Sequence, residues 1–177
     1  MTPHTRIVVV LAIVLVLMAL ETRRSRRLER ALRRQGAIEP ADDVYPIMQI
    51  VYPLAFLGPA VEGWLTARES PAMVAAGALV FAMGKAIKYW AIATLGDRWS
   101  FRVLVIPGAP LADGGPYRFL RHPNYVGVAA EIAGAALLFS APWSGAALTI
   151  VFGAMMLRRI GVEERALAAA ARGPDRL

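Results

Sequence analysis

The sequence predicts an all-α, polytopic membrane protein with about five transmembrane helices, the last two forming a hairpin ahead of a cytosolic C-terminal helix. Three observations predict it. Apolar residues make up 57% of the 177 against 19% charged, and a mean hydropathy of +0.48 is too high for a soluble domain of this size. The apolar excess is concentrated in runs that alternate with short polar segments. The cations gather in those segments rather than along the runs. By length the chain, 1–177, reads as a single domain.

Residues 7–20 are an unbroken apolar run of 14, which its flanks extend to spanning length. A signal peptide would carry its cations before the run and a small-residue cleavage site after it. Only Arg6 precedes this run and a basic cluster follows, so it reads as a retained first span. Residues 21–43 read as a polar loop with seven arginines, Arg23 to Arg34. Leu28, Ala31 and Leu32 give that loop a helical stripe suited to the interface, and Gly36 is placed to close it. The arginines read first as topology signals.

The second span, 44–66, carries Pro46, Pro53 and Pro59, which predict kinks, together with Gln49 and Glu62. Residues 68–71 form an outer turn. The third span, 72–95, places Lys85 and Lys88 on one helical face. An ammonium in hydrocarbon costs roughly 2.5–3.5 kcal/mol on insertion scales. Lys88 is therefore expected to snorkel to the cytoplasmic side, and the deeper Lys85 to border a polar cavity.

Residues 96–120 form a long connection whose β-branched stretch 101–106 and Pro107-Gly108 predict a short hairpin or extended lid. Spans four (124–140) and five (143–157) are separated only by Ala141 and Pro142, which predicts an antiparallel hairpin. Gly127, Ala130, Gly134, Gly145, Gly153 and Ala154 allow close backbone contact between such helices. From Gly161 an alanine-rich cytosolic helix is expected to run to Gly173-Pro174.

Charge sets the orientation. With the amino terminus outside, eighteen Lys and Arg fall on the inner side and two, Arg6 and Arg68, on the outer. The same distribution argues against nucleic acid as the partner of a chain of net charge +7 and pI 10.5. Attraction to anionic headgroups of membrane lipids accounts for it. With no cysteine and only His4 and His122, neither disulfides nor a histidine or thiolate metal centre is expected. The oligomeric state is not readable.

The chemistry concentrates at 113–131, DGGPYRFLRHPNYVGVAAE. Gly114, Gly115 and Pro116 mark a tight turn. Tyr117, Arg118, Arg121 and His122 put a ring, two guanidiniums and an imidazole within six residues, and Pro123 opens the next helix. Asn124 and Tyr125 follow, and beyond them the chain is apolar except for Glu131. An intramembrane acid is a site residue by default; a protonated, hydrogen-bonded structural role is the alternative. Glu163 and Glu164 read either as site carboxylates or as the solvated first turn of a cytosolic helix.

GPYRFLRHPNYVG resembles the GPY…RHPxYxG signature of the isoprenylcysteine carboxyl methyltransferase family, small integral-membrane enzymes that use S-adenosylmethionine. RRIGVEERAL, 158–167, resembles that family's second, acidic element, one helical hairpin later. The core of the resemblance covers 96–167. It implies that Gly115, Tyr117, His122, Pro123, Asn124, Tyr125, Glu163 and Glu164 surround the cofactor; Arg121, as a cation for the acceptor head, and Glu131, as the intramembrane acid, are the catalytic candidates.

The arginine-rich loop and the Trp99-x-x-Arg102 pair look more like bacterial alkylpyrone O-methyltransferases of the same superfamily. This implies Trp99 and Arg102 on the side of a lipid-like acceptor, whose anionic head Arg102, Lys85 or Arg121 is expected to orient. O-methylation of an amphipathic hydroxyl such as an alkylpyrone comes first, then a prenylcysteine-type carboxylate, then phospholipid N-methylation. A bacterial inner membrane with the site facing the cytoplasm is the expected location. A non-enzymatic scaffold or small transporter stays open, although the chain shows no internal repeat of the kind transporters carry. No GxGxxG supports a soluble nucleotide-binding methyltransferase fold.

Overall fold

The structure, a computed structural model, describes residues 2–68 and 70–171. It is all-α: α1 (Pro3–Arg34), α2 (Tyr45–Thr66), α3 (Pro71–Leu95), α4 (Pro123–Leu138) and α5 (Pro142–Ala171), with 3₁₀ turns at Gly96–Arg98 and Gly115–Arg118. Pro3–Arg34, Pro71–Arg98 and Pro142–Ala171 are long and apolar enough to cross a membrane. The helices run up and down. His4 near the start of α1 touches Trp64 near the end of α2. Arg6 Nε donates to the Leu138 carbonyl at the end of α4 (2.8 Å). Glu62, late in α2, accepts from the Trp143 and Ser144 amides at 3.2 and 2.6 Å, capping α5 from a neighbouring helix. Val8, Ile13, Val16, Ile50, Leu79 and Ile150 point outward, an apolar belt that suits lipid.

α3 and α4 form the closest seam. Gly77 and Gly84 on α3 meet Gly134 and Gly127 on α4, both pairs seven residues apart. A Cβ on Gly84 would lie 2.8 Å from the Glu131 amide and the Gly127 carbonyl. Small residues let membrane helices approach to backbone contact. Gly127 and Gly134 thus serve α3 rather than the expected α4–α5 hairpin, where Gly145 packs on Ala136. A Cβ added at Gly153 would meet nothing within 4 Å.

Several expectations are corrected. Residues 21–34 continue α1 instead of leaving as a loop, because Glu21, Ser25, Leu28 and Leu32 extend its buried stripe at helical spacing. That makes α1 about 48 Å long at 1.5 Å per residue. Gln35 then ends it, with Gly36 just beyond at φ +82°. α2 passes through Pro53 and Pro59 without a break. The stretch 101–106 forms no hairpin; Ile38 and Val105 exchange the two hydrogen bonds of an isolated bridge. Span five and the cytosolic helix are one helix, so Glu163 and Glu164 lie well inside α5 and not in a first turn. Gly173 and Pro174 lie outside the described residues. Lys88 does not snorkel: it is 1% exposed, between α1 and α4.

Candidate functional site

The α4–α5 hairpin brings the start of α4 beside the second half of α5. His122 precedes Pro123 at the α4 N-terminus. Its Nδ1 lies 3.7 Å from Glu163 Oε2 and its Nε2 3.3 Å from Glu164 Oε1. Tyr125 Oη donates to Glu163 Oε2 at 2.8 Å. Arg121 is 89% exposed and 4.0 Å from Glu164. Tyr117 sits half-buried on the Gly115–Arg118 turn, and burial together with the Glu163 carboxylate pushes its phenol upward. Gly115, at φ +53°, lets that turn lie against Thr94 and Trp90 of α3, where a Cβ would collide with the Thr94 hydroxyl.

Behind this corner a cavity of about 280 Å³ runs into the helix bundle. Asn124, Tyr125, Arg159, Ser100 and Phe101 line it together with Met18, Met48, Val128, Phe152 and Met156, whereas His122, Glu163 and Glu164 do not. Among the described residues Asn124 Oδ1 has no hydrogen-bond partner, and it is buried. An orphaned acceptor beside a cavity is the kind of group a ligand satisfies. Arg159, also buried, lies 3.6 Å from Asp43 and donates to the Phe101 carbonyl, with Tyr45 and Tyr125 rings 5.5 and 6.0 Å from its guanidinium.

The inner end of the cavity is bounded by Tyr52 and Lys88, which belong to a buried ion cluster. Lys88 Nζ donates to Glu21 Oε2 at 2.6 Å and to Glu131 Oε2 at 3.3 Å. Lys85 Nζ lies 3.0 Å from Glu131 and 3.4 Å from Glu21. Tyr52 Oη donates to Glu131 Oε2 at 3.2 Å. Four helices contribute, and two cations balance two anions. Such a set is stable only with its partners in place, since a lone buried charge costs several kcal/mol.

The remaining expected residues lie on the connection. Trp99 is buried with Leu28 and Ile92, beneath the Arg24 guanidinium at 5.7 Å. Arg102 Nη1 bonds Glu39 at 2.5 Å and its Nε is 3.5 Å from Glu29. Burial alone would raise the Glu39 pKa, but hydrogen bonds from Arg102 and Arg33 hold it below the usual carboxylate value. Neither Trp99 nor Arg102 lines the cavity; they clamp the connection onto the α1 extension, where Phe101 N also donates to Ser25 Oγ at 2.8 Å. Pro123 is buried as the first residue of α4.

Sequence reasoning missed Glu21, Asp43, Tyr52 and Arg159. Arg159 stands one helical turn before Glu163, on the same face, which was a readable signal. Glu21 was hidden by placing the end of the first helix before it.

The isoprenylcysteine carboxyl methyltransferase (ICMT) family model matches residues 76–169, which hold the whole corner. The uncharacterized protein YpbQ of Bacillus subtilis (strain 168) is 34% identical over 158 residues, 89% of this chain and 94% of that protein. No solved structure matches the chain.

Proposed function

The chain belongs to the isoprenylcysteine carboxyl methyltransferase family, and we propose that it moves a methyl group from S-adenosylmethionine to a lipid-like hydroxyl at the cytoplasmic membrane face. The observation that carries this reading is the corner itself. His122 and Tyr125 at the start of α4 are drawn into contact with Glu163 and Glu164 of α5, and Tyr125 also lines a cavity that reaches Tyr52 and Lys88.

The residues present fit the cofactor. Glu163 and Glu164 offer acceptors to an ammonium or a ribose diol, and His122 a partner for the amino-acid end. Asn124 brings an unsatisfied buried oxygen, and Tyr117 and Tyr125 bring rings for the adenine. S-adenosylmethionine, when bound, supplies a methyl group on a positively charged sulfur. The protein's share is to orient the acceptor in line and keep water out, work done mainly by positioning. The methionine-lined walls suit an alkyl tail. A carboxylate acceptor is the second reading, favoured by Arg159, a buried cation on the cavity wall.

Calorimetry on detergent-purified protein tests the reading. S-adenosylmethionine binds saturably, and His122→Ala and Glu163→Ala each weaken it about 10- to 100-fold, the loss of one charge-assisted hydrogen bond. Arg121→Ala, altering an exposed side chain, changes binding less. No binding at millimolar cofactor would overturn the proposal. Incubating membranes with labelled cofactor and a lipid extract then identifies the acceptor.

A further inference from the structure

The methyl-transfer reading leaves the inner end of the cavity unexplained. A charge-balanced ion cluster buried among four helices contributes at best weakly to stability compared with apolar packing. Here it surrounds one neutral, hydrogen-bonding group that faces the cavity. Tyr52 Oη donates to Glu131 Oε2 at 3.2 Å and accepts from Lys88 Nζ at 3.5 Å. A phenol oxygen has two lone pairs, so one remains for a ligand. The Tyr52 ring is held between Phe56, edge-on at 5.2 Å, and Phe152 at 5.4 Å. Its hydroxyl therefore has little freedom to swing away.

Depth is consistent with contact to a molecule bound at the corner. Lys88 packs its stem on Gly127, only two residues along α4 from Tyr125, and its ammonium reaches inward to Glu131. Tyr52, Lys88, Asn124 and Tyr125 all line the one cavity.

We propose that Tyr52 Oη, backed by the Glu131 carboxylate, receives the hydrogen of the acceptor's hydroxyl. The inference rests on the methyl-transfer reading above and supplies the group that takes the hydroxyl proton in it. A carboxylate arrives ionised at neutral pH and needs no base; a weakly acidic hydroxyl does. The acceptor O–H bond breaks, and its proton passes to Tyr52 Oη as the Tyr52 proton passes to Glu131 Oε2. The freed oxygen pair forms the bond to the methyl carbon, and the methyl–sulfur pair stays with sulfur. Lys88 stabilises the oxygen while it is negative. Lys85 and Glu21 are positioning residues that keep Lys88 and Glu131 in place. The charged and titratable groups around Tyr52 are Glu21 from α1, Lys85, Lys88 and Tyr89 from α3, and Glu131 from α4. Arg159 of α5 stands at the cavity's other end.

The test uses a long-chain 2-alkyl-4-nitrophenol, coloured only as its anion, bound to the full-length protein without cofactor. In wild type the bound probe ionises at least about one pH unit below its value in detergent alone. Tyr52→Phe still binds it but loses most of that shift, and Glu131→Gln is read the same way. A probe that does not bind, one that is bound neutral, or a shift unchanged in Tyr52→Phe overturns the inference. If neither variant folds, the conservative Glu131→Asp is titrated in their place, and a shift equal to that of wild type overturns the inference. Calorimetry on the same proteins separates the two readings, because Tyr52→Phe binds S-adenosylmethionine as wild type does. With an alkylphenol acceptor its kcat falls about 100-fold at similar KM, the usual contribution of a general base. Absence of cofactor binding in wild type defeats methyl transfer, while the probe titration still reports on Tyr52. Cofactor binding and transfer intact in Tyr52→Phe defeat this inference alone.

Discussion

Among the described residues, the Arg159 guanidinium meets Asp43, the Phe101 carbonyl, the Met48 sulfur at 3.9 Å and two tyrosine rings, and its Nε is without a hydrogen bond. Asp43 is as enclosed, its side chain 4% exposed, although the Tyr45 and Val103 amides also donate to it at 3.1 and 3.3 Å. Removing one partner of such a pair strands the other's charge. Arg159→Leu is therefore expected to cost about 3–5 kcal/mol, read as a lowered thermal midpoint in detergent. Arg159→Lys keeps the charge but loses the planar fork that meets a carboxylate and a carbonyl together, so it falls between the two. A Leu variant as stable as wild type would mean that the two amides alone satisfy Asp43. At this scale the sequence is a partial guide. Residue types picked out the corner, and His122, Tyr125, Glu163 and Glu164 do meet. Tyr52 was invisible, because an aromatic in a span is ordinarily core and nothing local marks the one whose hydroxyl reaches a carboxylate 79 positions away.

Among the helices, the seam of α3 and α4 sets where the ion cluster can form. Gly84 faces Gly127 and the Glu131 amide, so the backbone separation at that level fixes how far Lys88 must reach. Gly84→Ala would force its Cβ to within 2.8 Å of backbone atoms that cannot turn aside. The expected cost is about 1–3 kcal/mol, as for other overpacked cores. Gly153→Ala, with open space around it, is expected to be neutral or stabilising by up to about 1 kcal/mol from helix propensity. Thermal unfolding of both variants in one detergent checks the pair, and equal midpoints would contradict the seam. The existence of all five helices was legible from hydropathy, since each run is apolar and bounded by proline or glycine. Their lengths were not. α1 and α5 continue past the apolar limit on buried stripes of mixed polarity, Glu21-Ser25-Leu28-Leu32 and Met156-Arg159-Val162, which hydropathy scores as loop. The β-branched stretch 101–106 failed as a hairpin for a related reason. Its partners are the α1 extension and Ile38, not its own chain neighbours.

For the whole molecule, orientation decides whether the corner can meet the donor proposed for it. The cation tally behind it shrinks, because Arg6, Lys85, Lys88 and Arg159 are tied to protein partners. What remains still separates. Arg68 stands at the end shared by Thr66, Ser70 and Trp143, whereas the α1 extension, Arg102, Arg118 and Arg121 gather at the end of His122 and Glu163. By the positive-inside rule, this separation supports the proposal that the corner faces the cytoplasm. The chain's lack of cysteine makes this directly measurable. In sealed vesicles of known sidedness, a membrane-impermeant maleimide is expected to label Thr66→Cys from the outer side. Gln35→Cys, exposed at the other end of the bundle, should react only after permeabilisation. The reverse pattern would set His122 and Glu163 against the outer solution, away from the cytosol where S-adenosylmethionine is made. Methyl transfer by this corner would then have no donor to draw on.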